Sequence, residues 1–415
     1  MNAFQTIILG VFGFFIIAGL IVISLVKAGG DTQATHISIW GSASGEAMRT
    51  LIDEAFDAKI LAVSYSELKE DELDKALIEA LASDNGPDIA LLPAPLLTRY
   101  LDKIVPIPYA TYSERTYKDS FVQEGDLFLS SDSVLALPFT LDPLVMYWNR
   151  DFLDEAGVAT APKFWDEFLL LANRLSQRDA SGNLSRSAVA LGEYKNIASA
   201  KEILGALLFQ SAGLAESESV VTLASLLARS GASAVLNFYT EFANPQKPVY
   251  SWNRSMSDSR QAFLSSRIAV YFGLGSEYPE LRRGNPNLNF DIAAFPRPRN
   301  AAVGITYGKL AGFAVLRASK NPSAALQVAL TLTGSNPLLK LSQETGLPPV
   351  RRDLLSEKPT DAYRAVLYDA ANRSRGFLES DPVASAGALQ DMIESITSGR
   401  ERAEGAVSRV RGQIR

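Results

Sequence analysis

Cysteine is missing from the 415 residues. That removes disulfides, thiolate metal sites, a cysteine nucleophile and a lipid-modified cysteine in one stroke. A domain of this size must then hold together through its core alone, which it is large enough to do. Histidine is almost as scarce, with His36 the single example. A Ser-His-Asp triad or a multi-histidine metal site would have to be built on that one residue, and its place at the start of an alternating segment reads as a polar strand edge. The stretch Gly41-Ser-Ala-Ser-Gly45 looks like a nucleophile elbow but carries Ala43 where the serine belongs. An excess of positive charge is missing too. Lys and Arg number 40 against 46 Asp and Glu, a net charge of −6, which excludes a nucleic-acid partner in need of a basic face. The basic C-terminal residues Arg400, Arg402, Arg409, Arg411 and Arg415 are interleaved with Glu401 and Glu404 and read as a solvated helical face.

Charge is also absent from the first 26 residues, where Ile7 to Val26 reads IILGVFGFFIIAGLIVISLV. About 20 helical residues span roughly 30 Å, the thickness of a bilayer's hydrocarbon core. A transmembrane helix over about 6–26 is expected there, since lipid offers the backbone no hydrogen-bond partner. The competing reading is a cleaved secretory signal, with Val26-Lys27-Ala28 as a small-residue cleavage site. No second apolar run of that length follows, so the rest of the chain stays on one side of the membrane.

The polar linker Gly29 to Thr35 leads into an alternation of periodicities. His36–Trp40, Ile60–Tyr65 and Ile89–Pro93 are spaced as strands. Gly45–Asp57 and Glu70–Ala82 place Met48, Leu51, Ile52 and Leu73, Leu77, Ile78 on single helical faces. The second helix stops at Asn85-Gly-Pro87. Strand, helix, strand, helix, strand predicts an α/β fold. Further along, Leu137–Phe139 and Leu144–Trp148 read as two strands around Thr140 to Pro143. Helices are expected from near Pro162, over Glu202–Ala212, Ala232–Ala243 and Pro322–Leu332. Ile268–Phe272, Phe290–Phe295 and Gly312–Leu316 are extended. No repeat of 20–50 residues is visible, which excludes a solenoid. Asp179-Ala-Ser-Gly-Asn183 has the start of a calcium loop without its later ligands and reads as a turn; no metal and no cofactor is expected.

Two positions invite a ligand on these grounds alone. Trp40 and Ser42 lie just past the carboxyl end of the first strand, where open α/β sheets place ligands, although Trp40 fits a core position equally well. Trp252, in Tyr250-Ser-Trp-Asn253, is polar-flanked and placed poorly for a core.

Several segments then resemble, in order, the family 1 extracellular solute-binding proteins of ABC importers, the maltose-binding-protein-like group. They are Asn85–Pro93, Leu137–Asp151, Phe152–Gly157 with Ala161–Phe168, Ala262–Gly273, Ser319–Ala325 and Gly346–Pro349. The resemblance implies the type II periplasmic-binding-protein-like fold, two α/β lobes with a ligand cleft between them. It divides the chain into a membrane anchor and linker over 1–35, lobe I over 36–140 plus 290–334, and lobe II over 141–289 plus 335–415. It places Asp142 in the first crossover, as a cleft-facing acid or a structural hinge residue, gives Glu193 and Tyr194 the second lobe's share of a sugar site, and brings Tyr307 toward the ligand. Gly273 and Ser276 sit just after the strand Ile268–Phe272, where the backbone can approach a ligand closely. At Leu310 many relatives carry a tryptophan, so one stacking face is missing. The function implied is a membrane-tethered, monomeric, non-enzymatic receptor on the extracytoplasmic side that delivers a sugar or similar polar solute to ABC permease subunits. A surface adhesion or assembly module on the same fold is the main alternative, and a carboxylate-dependent glycoside hydrolase a lesser one.

Overall fold

The computed structural model describes residues 34–213, 220–301 and 303–414. The apolar run Ile7–Val26 lies outside them. Among the described residues no helix is long and apolar enough to cross a membrane.

Among the described residues twelve strands are formed: β1 (Thr35–Gly41), β2 (Leu61–Glu67), β3 (Ile89–Pro93), β4 (Ile107–Pro108), β5 (Ser133–Val134), β6 (Leu137–Asn149), β7 (Gln177–Arg178), β8 (Leu184–Val189), β9 (Ile268–Leu274), β10 (Phe290–Ala293), β11 (Thr306–Val315) and β12 (Ser374–Arg375). The main path runs β2-β1-β3-β11-β6-β9-β8-β7, with β10 beside β6 and β12 beside β11. The β1, β2 and β3 strands pair in parallel, joined by the helices Gly45–Ala55 and Glu70–Ala82, as βαβ units require. Ser44 caps the first of these helices, its side chain accepting from Ala47 N–H, and Glu70, Asp71 and Glu72 occupy the first turn of the second, where the helix dipole favours acids.

Two hydrophobic cores share this path. The first takes residues from Ile37 to Leu141 and from Leu310 to Leu355. The second takes residues from Leu144 to Tyr307 and from Leu389 to Ile414. The long strands β6 and β11 belong to both: Leu137–Leu141 pair with Leu310–Phe313 on the first side, and Leu144–Trp148 pair with β9 on the second. Residues 367–378 run along the boundary, with Ala371 and Leu378 in the first core and Leu367, Ala370 and Phe377 in the second.

The two cores divide the chain differently from the lobe limits that the resemblance implies. Phe290, Ile292 and Phe295 pack in the second core, because β10 pairs with the second half of β6. Leu338, Leu341, Val350 and Leu355 pack in the first, because the helix Ser335–Thr345 lies against the helix Gly45–Ala55. The expected pair of short strands at 137–148 is one continuous strand. Of its prolines, Pro138 lies opposite Gly312 beside a register shift, an irregular point where the lost ladder donor is tolerated, and Pro143 lies opposite Gly308. Asp179–Asn183 is a turn, with Asp179 Oδ1 accepting from Ser181 and Asn183 N–H at 2.8 and 2.9 Å.

Candidate functional site

The crossing strands floor a cavity of about 330 Å3 where the lobes meet. Its first wall is the loop after β1. Gly41 turns there under Leu91, whose Cβ would lie 2.6 Å from any added methyl, and Tyr65 fixes the loop by donating to Ala43 O at 2.9 Å. Ser42 and Ser44 thereby face the cavity. The second wall comes from the segment after β9. Tyr147 and Tyr363 donate to Leu274 O and Gly275 O at 2.7 and 2.8 Å, and Glu277 accepts from Leu274 N–H at 2.8 Å and from Tyr271 Oη at 2.7 Å. This bracing holds Ser276 so that its backbone N–H donates to Asp142 Oδ1 at 3.0 Å.

Asp142 is the buried acid of the cavity, 8% exposed. Burial pushes its carboxyl up to about 6, against the opposing pull of the Ser276 hydrogen bonds and the Lys309 charge. Thr140, Ser342, Thr345 and the turn Leu347–Pro349 complete the lining, with Leu310 and Leu341 as apolar faces. The aromatic at the floor, Phe139, is 1% exposed, so among the described residues no wide ring face is open to a ligand here.

Lys309 reaches from β11 to the carboxylate of Glu70 at the head of the helix Glu70–Ala82. On the other side of this pair lies a second cavity of about 470 Å3. It shares Glu70, Pro93 and Lys309 with the first, so the two are adjoining parts of one inter-lobe cleft. Tyr307 floors this part, with Ile78 and Leu96 from one lobe and Lys201, Glu202 and Val383 from the other. At its edge the lobes touch directly. Arg99, bound to Asp74 of its own lobe, reaches Asp381 of the other at 3.2 Å, and Thr98 Oγ1 donates to Glu379 O.

Of the residues singled out from sequence, Ser42, Asp142 and Ser276 are brought together in the first part of the cleft and Tyr307 lines the second. The others fall elsewhere. Trp40 is half-buried against the first core and lines neither cavity. Trp252 is fully buried, its indole N–H donating to Asn196 Oδ1 at 3.2 Å; the polar residues around it satisfy that one donor, and it lines neither cavity. Glu193 is turned toward Arg254 at 3.5 Å, and burial raises its carboxyl. Tyr194 packs on the second core. Gly273 has no room beside it, since an added Cβ would meet Tyr271 and Glu277 at 2.6 and 2.7 Å. Lys309 and Glu70 were missed. The signal for Lys309 was legible, a lone cation in the apolar run of β11; nothing local marks Glu70.

Among the described residues no group of His, Asp and Glu is arranged to hold a metal ion. What the cleft offers is a set of hydroxyl, carboxylate and ammonium groups suited to binding a polar molecule.

Comparison with known proteins agrees with this geometry. The family model for bacterial extracellular solute-binding proteins matches residues 53–366. A Brucella abortus (strain 2308) protein, assigned to the binding proteins by name alone, is 22% identical over 377 residues, 86% of each chain; a protein of Brucella suis biovar 1 matches equally. Among solved structures, a cyclo/maltodextrin-binding protein complexed with maltotetraose superposes with a TM-score of 0.73 at 14% identity, covering 93% of this chain and 98% of that one. The sugar-binding protein MalE of Xanthomonas citri gives 0.72 at 18%, covering 92% and 96%. UgpB of Mycobacterium tuberculosis in complex with glycerophosphocholine gives 0.72 at 17%, covering 91% and 97%. At these identities the likeness is one of fold.

Proposed function

Since the chain belongs to the bacterial extracellular solute-binding proteins, we propose that its inter-lobe cleft captures a sugar or a similarly polar solute for an ABC importer. One observation carries this reading: Ser42, Asp142, Ser276 and Lys309, drawn from both lobes and both crossing strands, converge on one unfilled cavity. A solute held there touches both lobes at once, so binding favours the closed arrangement, the usual coupling in two-lobed receptors. The solutes named for the structural relatives, maltotetraose and glycerophosphocholine among them, define the chemical range to search. With no open ring face beside Asp142, a compact hydroxylated solute suits the first part of the cleft better than stacked sugar rings.

The adhesion alternative needs a cleft filled by its own side chains, and about 330 Å3 stands open. The hydrolase alternative needs two free carboxyls flanking a bond, whereas Asp142 is bound to Ser276 and Glu70 to Lys309. The apolar run Ile7–Val26 supports a retained tether that keeps the domain close to the bilayer, and the family match supports an extracytoplasmic place and permease subunits as partners of a monomer. The linker Gly29–Thr35 spans only about 20 Å when extended.

Titration calorimetry of the detergent-solubilised chain against monosaccharides, oligosaccharides, polyols and glycerophosphodiesters tests the reading. Saturable one-to-one binding of one class, lost in Asp142→Ala, supports it, and silence across the panel overturns it. Cell fractionation tests the tether: the mature protein stays with the membrane, and release into the medium overturns that part.

A further inference from the structure

Glu124 is the most anomalous group outside the cleft. It lies in the short 3-10 turn Gln123–Phe128, is 2% exposed, and neither carboxyl oxygen has a hydrogen-bond partner. A carboxylate buried in that way costs several kcal/mol or gives up its charge. Burial pushes its carboxyl up to about 7, with the Arg375 charge pulling the other way; the nearby Ser374 hydroxyl, which could also pull it down, donates to Ala371 O at 3.0 Å instead.

Its position adds a second observation. A methyl group on Gly308 would fall on Glu124 Oε2, and one on Gly376 would lie 2.7 Å from Oε1. Gly308 is on the crossing strand β11, and Gly376 directly follows β12 in the segment along the lobe boundary. The carboxyl is thus wedged between two of the segments that join the lobes. The surrounding titratable and charged groups are otherwise engaged. Tyr307 of β11 packs on Phe377, and Lys309 is held by Glu70. Arg375 donates to Ser374 O at 2.7 Å, and Tyr117 donates to Gly125 O at 2.7 Å. On β6, Asp142 and Tyr147 are tied to residues 274–276. Arg99 is bound to Asp74, and Asp126 shares the turn with Glu124.

We infer that Glu124 is a positioning residue that couples closure of the two lobes to the uptake of one proton at the hinge. In the closed form the neutral carboxyl fills the space beside the glycines. Rotation about the crossing segments moves Gly376 and β12 away and admits water, and the carboxyl releases its proton to solvent. The closed form therefore binds the proton more tightly than the open one. Closure is most favourable near the ordinary carboxylate range, weakens as pH rises toward 7, and levels off above it. The closed-to-open ratio falls by roughly two orders of magnitude across that window. If the cleft captures a solute as proposed above, its affinity inherits this dependence, but closure itself can be measured without any solute.

Because the chain has no cysteine, Arg49→Cys and Asn173→Cys place two spin labels on exposed helix positions, one per lobe. Double electron–electron resonance on the solute-free chain from pH 5 to 8 then reads the lobe separation. The expected result is a growing long-distance population as pH rises, abolished in Glu124→Gln and retained in Glu193→Gln, whose carboxyl is also buried but sits beside Arg254 within one lobe. A pH-independent distribution in the parent chain, or a Glu124→Gln variant that follows the parent's response, overturns the inference. Should Glu124→Gln fail to fold, Gly308→Ala decides: its methyl displaces the carboxyl and opens the lobes at pH 5, and a closed distribution there refutes the coupling.

Discussion

Lys309, on a strand that passes from lobe to lobe, pairs with Glu70 at the head of a lobe I helix, and the two parts of the cleft meet at that pair. The ammonium can exchange a carboxylate for a ligand hydroxyl or anionic group without leaving the cleft.

Lys309→Met tests this exchange. Lys309 is 33% and Glu70 48% exposed, so losing the pair costs about 0–1 kcal/mol of stability. Solute affinity is expected to fall about tenfold or more, the cost of one charge-assisted hydrogen bond. Calorimetry with the solute found in the panel and urea unfolding of the same sample separate the two effects; equal affinity in parent and variant refutes a ligand contact.

Asp142 makes stability depend on pH. Its carboxyl stands near 6 in the folded chain against an ordinary value of 3.8, so the folded state binds the proton more tightly than the unfolded one. The contribution is fully present below the ordinary value, declines as pH rises to about 6, and is absent above it. Asp142→Asn removes the titration while keeping an acceptor for Ser276. The variant is expected to exceed the parent by about 2–3 kcal/mol at pH 7.5, with the gap closing toward pH 4, as read from urea midpoints.

If the lobes close around a solute as proposed, the contact between Arg99 and Asp381 across the cleft edge favours the closed form. Asp381 also caps the helix Pro382–Thr397 by accepting from Val383 and Ala384 N–H at 3.0 Å. Asp381→Asn keeps that cap and loses the ion pair. A pair this exposed contributes up to about 1 kcal/mol, hence a several-fold shift toward the open form. The shift is visible as a larger radius of gyration in X-ray scattering and is mimicked by high salt. An unchanged radius would show that the contact has no part in closure.

Trp252→Phe distinguishes a core tryptophan from a binding one. It leaves Asn196 Oδ1 without its indole donor and is expected to cost about 1–3 kcal/mol. Solute affinity at a temperature where both proteins are folded should agree within a factor of two. A large loss of affinity at full stability would return Trp252 to the site.

The legible part of the fold was the part made by local periodicity. The helix Glu70–Ala82 and the strand Ile89–Pro93 were readable to the residue, because caps, turn residues and apolar spacing act over a few positions. The strand Leu137–Asn149 was read as two, since Pro138 and Pro143 break the local pattern and only the partner strand β11 shows how they are absorbed. Within the site, Ser42 and Ser276 stand where loops leave strands, which sequence order reveals, whereas Asp142 lies inside the strand Leu137–Asn149 and is offered by the resemblance. Trp252 and Glu193 fall outside the two cavities: polar neighbours in sequence do not say whether a tryptophan faces water or those neighbours, and the resemblance that offers Glu193 does not fix which way its side chain turns.

The sequence by itself determined the α/β class, the family, the absence of thiol and multi-histidine chemistry, and the apolar run at the N-terminus, all of which depend on composition or on short-range order. Tertiary structure decided which lobe owns Phe290–Ala293 and Ser335–Thr345, that Lys309 meets Glu70 over 239 positions, and that Glu124 is buried against Gly308 and Gly376. Those outcomes follow from packing between segments far apart in the chain, where burial and long-range pairing set each group's partners and its charge.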